Sequence, residues 1–258
     1  MNTLNDQPGL EVRRCAFFFD VDGTLAEIQP RPELVSIPPR SLVALEHLQL
    51  SEIPMAVISG RPLSQLDELL SPLRLPAAGV HGAERRSADG ELRNLTLDSA
   101  LFETIGQALA TACAQHPGLL LENKTIAFAL HYRLAPELED IARVLAEDFV
   151  KRYGDVLTLQ PGKCVYELKP RGASKGEVIR TFMQEAPFKG RTPVFIGDDV
   201  TDEAGFKVVN ELGGMTIKVG AGPTEAKQRL DSVDAVGAWL ESLLSALSEQ
   251  PENPTEPD

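Results

Sequence analysis

The sequence predicts an α/β protein: a doubly wound, parallel sheet with a smaller α+β unit inserted into it. Three observations carry this. Five short apolar runs have the length and composition of strands buried on both faces. Helical patterns separate several of them, as in a parallel sheet. Between about residues 98 and 169 that rhythm gives way to helix, strand, strand, helix, strand, strand.

The first run, 15–21, holds Phe17, Phe18 and Phe19 and leads into Asp20-Val21-Asp22-Gly23-Thr24. A helix over 41–50 follows, with Leu42, Leu45 and Leu48 on one face. The second run, 53–58, ends at Ser59-Gly60-Arg61, and Pro62 opens a helix over 63–70. The third run covers 77–80. After the insert, a helix over 174–184 precedes a fourth run at 193–196. A helix over 202–212 and a fifth run at 215–219 complete the pattern.

The insert opens with a helix striped by Leu101, Ile105, Leu109 and Ala112, followed by strands near 119–122 and 125–132. Its second helix has Pro136 in the first turn, runs through Leu138, Ile141, Leu145 and Phe149, and stops near Gly154. Strands near 156–159 and 164–168 are joined through the turn Gln160-Pro161-Gly162-Lys163. With both helices on one face, the sheet's other face is free to act as a lid. The expected division is a core of 1–97 and 170–248 and a cap of 98–169. The tail, 249–258, is Pro- and Glu-rich and is expected to be disordered.

The chain has 258 residues, 43% hydrophobic and 24% charged, an ordinary globular balance. A net charge of -13 argues against nucleic-acid binding, which needs a basic footprint. A local cluster of Lys and Arg can still bind a small anion. Cys15, Cys113 and Cys164 form no CxxC pair and read as reduced thiols. The first fourteen residues are polar, and no run approaches the ~20 apolar residues that span a bilayer. A cytoplasmic location and no membrane partner are expected.

Open α/β sheets bind ligands beyond the carboxyl ends of their strands. Three polar motifs fall there: Asp20 and Asp22, Ser59-Gly60-Arg61, and Gly197-Asp198-Asp199-Val200-Thr201-Asp202-Glu203. The chemistry they suit is phosphoryl transfer. Asp20 is expected to attack phosphorus, and Asp22 to protonate the departing oxygen and then take a proton from water. Mg2+, a hard cation that prefers oxygen ligands, would neutralise Asp20 and the phosphate, with Asp198 as a further protein ligand. Thr24, Ser59 and Gly60 are placed on the phosphate, and Lys175 supplies positive charge beside it. Helix capping competes for Asp198, and Asp199 and Asp202 are expected to cap, to orient Lys175 or to hold metal-bound water. His81 reads as a supporting residue and Arg85-Arg86 as a solvated pair.

These motifs, with Lys175-Gly176-Glu177, resemble those of the haloacid dehalogenase superfamily of phosphatases, in the expected order over nearly the whole chain. The resemblance implies a Rossmann-like core with the lid inserted between the second and third motifs. It also implies that the backbone carbonyl of Asp22 contacts Mg2+. Leu168-Lys169-Pro170-Arg171-Gly172, Gly79-Val80-His81-Gly82-Ala83-Glu84 and the segments Glu122-Asn123-Lys124 and His131-Tyr132-Arg133 are similar to the trehalose-6-phosphate phosphatase family. That likeness implies that Glu122, Lys124, Arg133 and Glu167 of the lid grip the glucose hydroxyls and help hold the phosphate, and that Arg61 binds the substrate. It also implies a Mg2+-dependent phosphatase that converts trehalose 6-phosphate to trehalose and phosphate through an aspartyl phosphate, in trehalose biosynthesis. The expected partner is this small-molecule sugar phosphate, and the expected state is a monomer. The alternatives are a phosphatase for a sucrose or mannosylglycerate phosphate, a phosphosugar mutase and an inactive sugar-phosphate sensor.

Overall fold

The computed structural model describes residues 10–95, 97–124, 126–162 and 164–249. Glu249, the first residue of the expected tail, ends a helix, while the rest of that tail, the start of the 125–132 strand at Thr125, the turn residue Lys163 and the first nine residues lie outside the described set.

In chain order the first half of the core contains β1 (Cys15–Phe19), α1 (Pro39–Leu50), β2 (Met55–Ile58), α2 (Leu63–Leu70), β3 (Ala77–Gly79), β4 (Glu84–Arg86) and β5 (Leu92–Asn94). Next come α3 (Ser99–Cys113), β6 (Leu120–Asn123), β7 (Phe128–His131), α4 (Glu139–Arg152), β8 (Leu157–Gly162) and β9 (Val165–Pro170). The chain then returns with α5 (Lys175–Phe182), β10 (Thr192–Gly197), α6 (Glu203–Glu211), β11 (Met215–Val219), β12 (Gln228–Leu230) and α7 (Val233–Glu249).

The large sheet has the order β12-β11-β10-β1-β2-β3-β4-β5. Its strands run parallel from β12 to β3, and β4 and β5 add an antiparallel margin. Strand alternation explains the two layers of helices. Phe17 and Phe19 pack with Leu45 and Leu48 of α1, Leu66 and Leu70 of α2 and Leu240 and Leu243 of α7. Ala16 and Phe18 face the other way, onto Ile179 and Phe182 of α5 and Phe206 and Val209 of α6. Trp239 closes the first layer with its ring edge-on to Phe17, centroids 6.1 Å apart. Because β1 is covered on both sides, its carboxyl end is the point where a buried chain meets polar loops.

The insert folds onto its own antiparallel sheet, β6-β7-β9-β8. Phe128, Leu130, Tyr166 and Leu168 turn inward onto Ile105 and Leu109 of α3 and Ala146 and Phe149 of α4. The opposite face carries Glu122, Ala129, His131, Glu167 and Lys169. Ile126 and Ala127 of the insert pack with Val80, Ala83 and Ala173 of the core in a small apolar seam.

Several expectations change. Gln160, Pro161 and Gly162 are strand residues of β8 and not turn residues, since they pair with Glu167, Tyr166 and Val165. Arg85 and Arg86 are not solvated: both are buried in β4. Arg85 forks onto Glu185 at 2.6 and 2.9 Å, and Arg86 onto Asp67 at 2.8 and 2.6 Å. Bidentate pairing compensates their desolvation. The β4–β5 hairpin and β12 add strands to the five apolar runs, because short polar edge strands carry little periodic signal. The 4-3-4 spacing of Val236, Leu240, Leu243 and Leu247 carries a helix, α7, that the strand–helix reading left unassigned.

Candidate active site

Asp20 directly follows β1, and its amide donates to the Ile196 carbonyl of β10 at 3.0 Å. Two neighbouring parallel strands thus fix the backbone of this aspartate beside Gly197 and Asp198. Gly23 has φ +82°, and a Cβ there would come within 2.1 Å of the Asp198 carboxylate. Glycine at this position therefore lets Asp198 settle over the turn after Asp20.

Lys175 is the first residue of α5, whose N-cap Ser174 accepts from the Glu177 amide at 3.1 Å. Its Nζ lies 2.9 Å from Asp20 Oδ1 and 2.7 Å from Asp202 Oδ1. Asp202 is fully buried, and its other oxygen accepts from the amides of Asp198 and Asp199, each at 2.9 Å. Asp202 thus both orients Lys175 and pins the loop after β10. Asp199 is exposed and caps the short turn after it, accepting from the Val200 amide at 2.7 Å.

One oxygen from each of Asp20, Asp198 and Asp202 lies within 4.8 Å of the others. Burial pushes the Asp20 carboxyl well above its usual range, against the pull of Lys175 and with Asp202 and Asp198 adding to the rise. Burial also raises Asp198, to about 6, with Asp202 and Asp199 adding to it. Burial alone would depress Lys175, but Asp20 and Asp202 outweigh it and hold the ammonium protonated. The cluster has more negative charge than one lysine neutralises. Asp198 Oδ1 is buried with no hydrogen-bond partner among the described residues. A hard-oxygen set with an orphaned carboxylate oxygen fits a divalent cation. Lys218 of β11, absent from the sequence reading, donates to the Asp198 carbonyl and steadies the loop from below.

Thr24 and Ser59 are buried, and the Thr24 hydroxyl has no partner among the described residues. Ser59 Oγ accepts from the Arg61 amide at 3.2 Å. Gly60 leaves room for the His81 ring, which would approach a Cβ there to 2.8 Å. Asp22 is gripped by Arg61, Nε to Oδ2 at 2.6 Å and Nη2 to Oδ1 at 2.7 Å. Arg61 therefore meets the expected acid directly.

From the insert, Glu167 reaches the core. Its Oε2 lies 2.9 Å from His81 Nε2, and its Oε1 pairs with Lys124 Nζ. Burial alone would raise Glu167, but the His81 hydrogen bond and the Lys124 charge bring it down to about 2. Burial lowers His81, against the pull of Glu167. Val80 and His81 both have positive φ, 48° and 55°, a left-handed bend that turns the imidazole across the seam. Glu122 pairs with His131 at 2.8 Å on the half-exposed edge of the same face. Arg133 is exposed in the turn after β7. Glu122 and Arg133 thus lie nearer the rim, while Glu167 and Lys124 are drawn in to His81. The His81–Glu167 link was missed in the sequence because its partners lie in different units; the one signal was a histidine between Gly79 and Gly82.

The parallel core, its acidic strand ends and a lysine bridging two of the carboxylates define a phosphoryl-transfer enzyme of the haloacid dehalogenase type. A family model described as trehalose-phosphatase matches residues 18–235. Trehalose-6-phosphate phosphatase of Escherichia coli (strain K12) is 51% identical over 251 residues, covering 97% of this chain and 94% of that one. A probable trehalose-phosphate phosphatase of Sinorhizobium fredii is 40% identical over 234 residues, covering 90% and 87%. A solved trehalose-6-phosphate phosphatase related protein superposes with a TM-score of 0.73 at 25% identity, covering 91% of this chain and 100% of the other. The chain belongs to the trehalose-phosphatase family. The family implies a divalent metal. Among the described residues no helix is long and apolar enough to cross a membrane.

Proposed function

We propose that this protein is a Mg2+-dependent phosphatase that converts trehalose 6-phosphate to trehalose and phosphate. The observation that carries the chemistry is the convergence of Asp20, Asp198 and Asp202 within 4.8 Å, with Lys175 bridging Asp20 and Asp202. The sugar identity is supported by the 51% identity to the Escherichia coli enzyme of that name.

Asp20 attacks phosphorus through a carboxylate oxygen. The bond from phosphorus to the sugar oxygen breaks, and Asp22 gives that oxygen a proton. Water then attacks the aspartyl phosphate, Asp22 takes its proton, and the bond to Asp20 breaks to release phosphate. Lys175 opposes the upward push of burial on Asp20 and lies beside the phosphoryl oxygens, where Thr24 and Ser59 offer hydroxyls and Gly60 allows close approach. Asp20, Asp198 and the Asp22 carbonyl would hold Mg2+, which would neutralise charge on the phosphate; Asp202 and Asp199 hold the surrounding loop. Uncatalysed monoester hydrolysis is slow enough that such sites accelerate it by up to ~10²¹-fold, so charge placement is the main task.

We assign residues 98–169 to the cap and 1–97 with 170–248 to the catalytic core. Glu122, Lys124, Arg133 and Glu167 of the cap, with Arg61, hold the sugar and help hold the phosphate; carboxylates, amines and guanidiniums make directional hydrogen bonds to hydroxyls. The reading includes a cytoplasmic monomer, and the three free cysteines support a reducing compartment.

A substrate panel at fixed Mg2+ tests this. Trehalose 6-phosphate should give the highest kcat/KM. A panel in which it ranks among the poor substrates, behind sucrose or mannosylglycerate phosphates, would refute the sugar assignment.

A further inference from the structure

Lys218 stands on β11 and pairs in register with Gly197 of β10, the residue before Asp198. Its strand neighbours Ile217 and Val219 turn into the apolar layer that also holds Phe17 and Phe19. Alternation therefore points Lys218, with Thr216, toward the layer of α5 and α6. Thr216 has a neutral partner there, its hydroxyl donating to Asn210 Oδ1 of α6 at 2.9 Å. Lys218 is different. It is only 5% exposed, and its Nζ donates to the Asp198 carbonyl. Among the described residues no carboxylate lies at ion-pair distance from that Nζ, whereas Lys124 and Lys175 each have one.

A buried ammonium resting on a neutral carbonyl is costly unless nearby charge compensates it. The loop does not need that charge to keep its shape. Asp202 already pins it through the amides of Asp198 and Asp199, and a neutral donor would serve the carbonyl equally well. What compensates Lys218 is the acidic cluster itself. Burial, Asp202 and Asp199 push the Asp198 carboxyl up to about 6, while Lys175 and Lys218 pull against them. Three carboxylates, Asp20, Asp198 and Asp202, thus face two ammoniums, Lys175 and Lys218. Arg61 and Asp22 cancel each other. A divalent cation would turn one surplus negative charge into one surplus positive charge, which suits a phosphate monoester dianion. Without Lys218 the loaded cluster would be neutral.

We infer that Lys218 divides the affinity of the site between its two ligands: its charge loosens the hold on Mg2+ and tightens the hold on the phosphate that follows. This rests on the reading that Asp20 and Asp198 hold the metal. Lys218 acts from behind Asp198 as a positioning residue and is a ligand of neither partner. Inside the protein a charge is felt across several ångströms, so contact is not required.

The test follows the Tm of the intact protein, without substrate, on titration with Mg2+, and then with inorganic phosphate at saturating Mg2+. Both titrations are run at about pH 8, above the Asp198 value of about 6, so that its carboxylate is ionised. Lys218→Gln and Lys218→Met should each bind Mg2+ about tenfold more tightly and inorganic phosphate about tenfold more weakly than wild type, the scale of one charge acting through several ångströms of protein. Lys218→Arg, which keeps the charge, should stay within a few-fold of wild type for both ligands. A residue that only braced the loop would, once removed, weaken both ligands together. That outcome overturns the inference, and so do unchanged affinities in the two neutral variants. Neutral replacement of a buried charge is often tolerated. Should neither neutral variant fold, Lys218→Arg decides: affinities near wild type support the inference, and opposite shifts of about tenfold in spite of the retained charge overturn it. A wild type whose Tm ignores Mg2+ would defeat the metal reading and this inference with it. A wild type that responds, with neutral variants that match it, defeats this inference alone.

Discussion

Arg61 holds Asp22 by two parallel hydrogen bonds, of 2.6 and 2.7 Å, across 39 residues of sequence. Both oxygens of the proposed general acid are occupied by a guanidinium that is itself mostly buried. A planar fork fixes the carboxylate's orientation in a way that a lysine cannot. The pair therefore sets where Asp22 waits, and substrate must draw at least one Asp22 oxygen away for a proton to reach the leaving group.

The first prediction follows from that grip. Arg61→Lys should lower kcat/KM for trehalose 6-phosphate about tenfold or more, since the charge stays but the fork is lost. An aryl phosphate, whose leaving group needs little protonation, should lose much less. Steady-state kinetics on the two substrates decide it; equal losses would separate Arg61 from the acid.

The cap gives a second contrast. Lys124→Ala and Arg133→Ala should each depress turnover of the sugar phosphate by about tenfold or more, on the scale of hydrogen bonds to charged groups, and barely affect a small aryl phosphate. Parallel losses on both substrates would remove these residues from sugar recognition.

Asp198 supplies a third. Its carboxyl is raised to about 6 by burial and by Asp202 and Asp199. A raised acid favours the fold below its unfolded pKa and loses that stability as pH rises through the folded value. At neutral pH and without metal, the ionised Asp198 therefore costs stability. Asp198→Asn should melt a few degrees higher than wild type in chelator, and should lose the rise in Tm that Mg2+ gives wild type. Wild type itself should lose all turnover in chelator and regain it with added Mg2+. A variant that melts lower in chelator, or that still responds to Mg2+, contradicts the proposed metal site.

Glu167 titrates with the opposite sign. Burial opposes ionisation, but His81 and Lys124 bring its carboxyl down to about 2. A depressed acid stabilises the fold above its unfolded pKa and loses that contribution as pH falls toward the folded one. Glu167→Gln should be less stable than wild type at neutral pH by on the order of 3 kcal/mol at most. The gap should narrow as pH falls from about 4.5 toward 2. Denaturant melts of both proteins across that range give the answer; a gap independent of pH would mean that the seam contacts of Glu167 do not depend on its charge.

Much of this site was legible in the sequence because strand ends and turns are local signals. Phe17 to Phe19 mark a strand buried on both faces, and a carboxylate at its end stands out. Gly23 marks the turn, and the helix read over 174–184 is off by one residue at its start, where Ser174 is the N-cap. What escaped the sequence was pairing between distant segments. Arg85 and Arg86 read as solvated because Glu185 and Asp67, which neutralise them, lie far away in the chain. The Arg61–Asp22 fork and the His81–Glu167 link are of the same kind. The edge strand β12 has three half-buried residues and too few positions for a period to appear. By contrast, α7 had a readable stripe, and its place over Phe17 follows from it.

The central claim is that Asp20 becomes covalently phosphorylated during turnover of trehalose 6-phosphate. Acid quenching of wild-type protein during Mg2+-dependent turnover, followed by peptide mass spectrometry, tests it most directly. One phosphoryl group should appear on the peptide containing Asp20, with none on that peptide from Asp20→Asn, which should release no phosphate. Phosphate release that persists in Asp20→Asn would contradict the account.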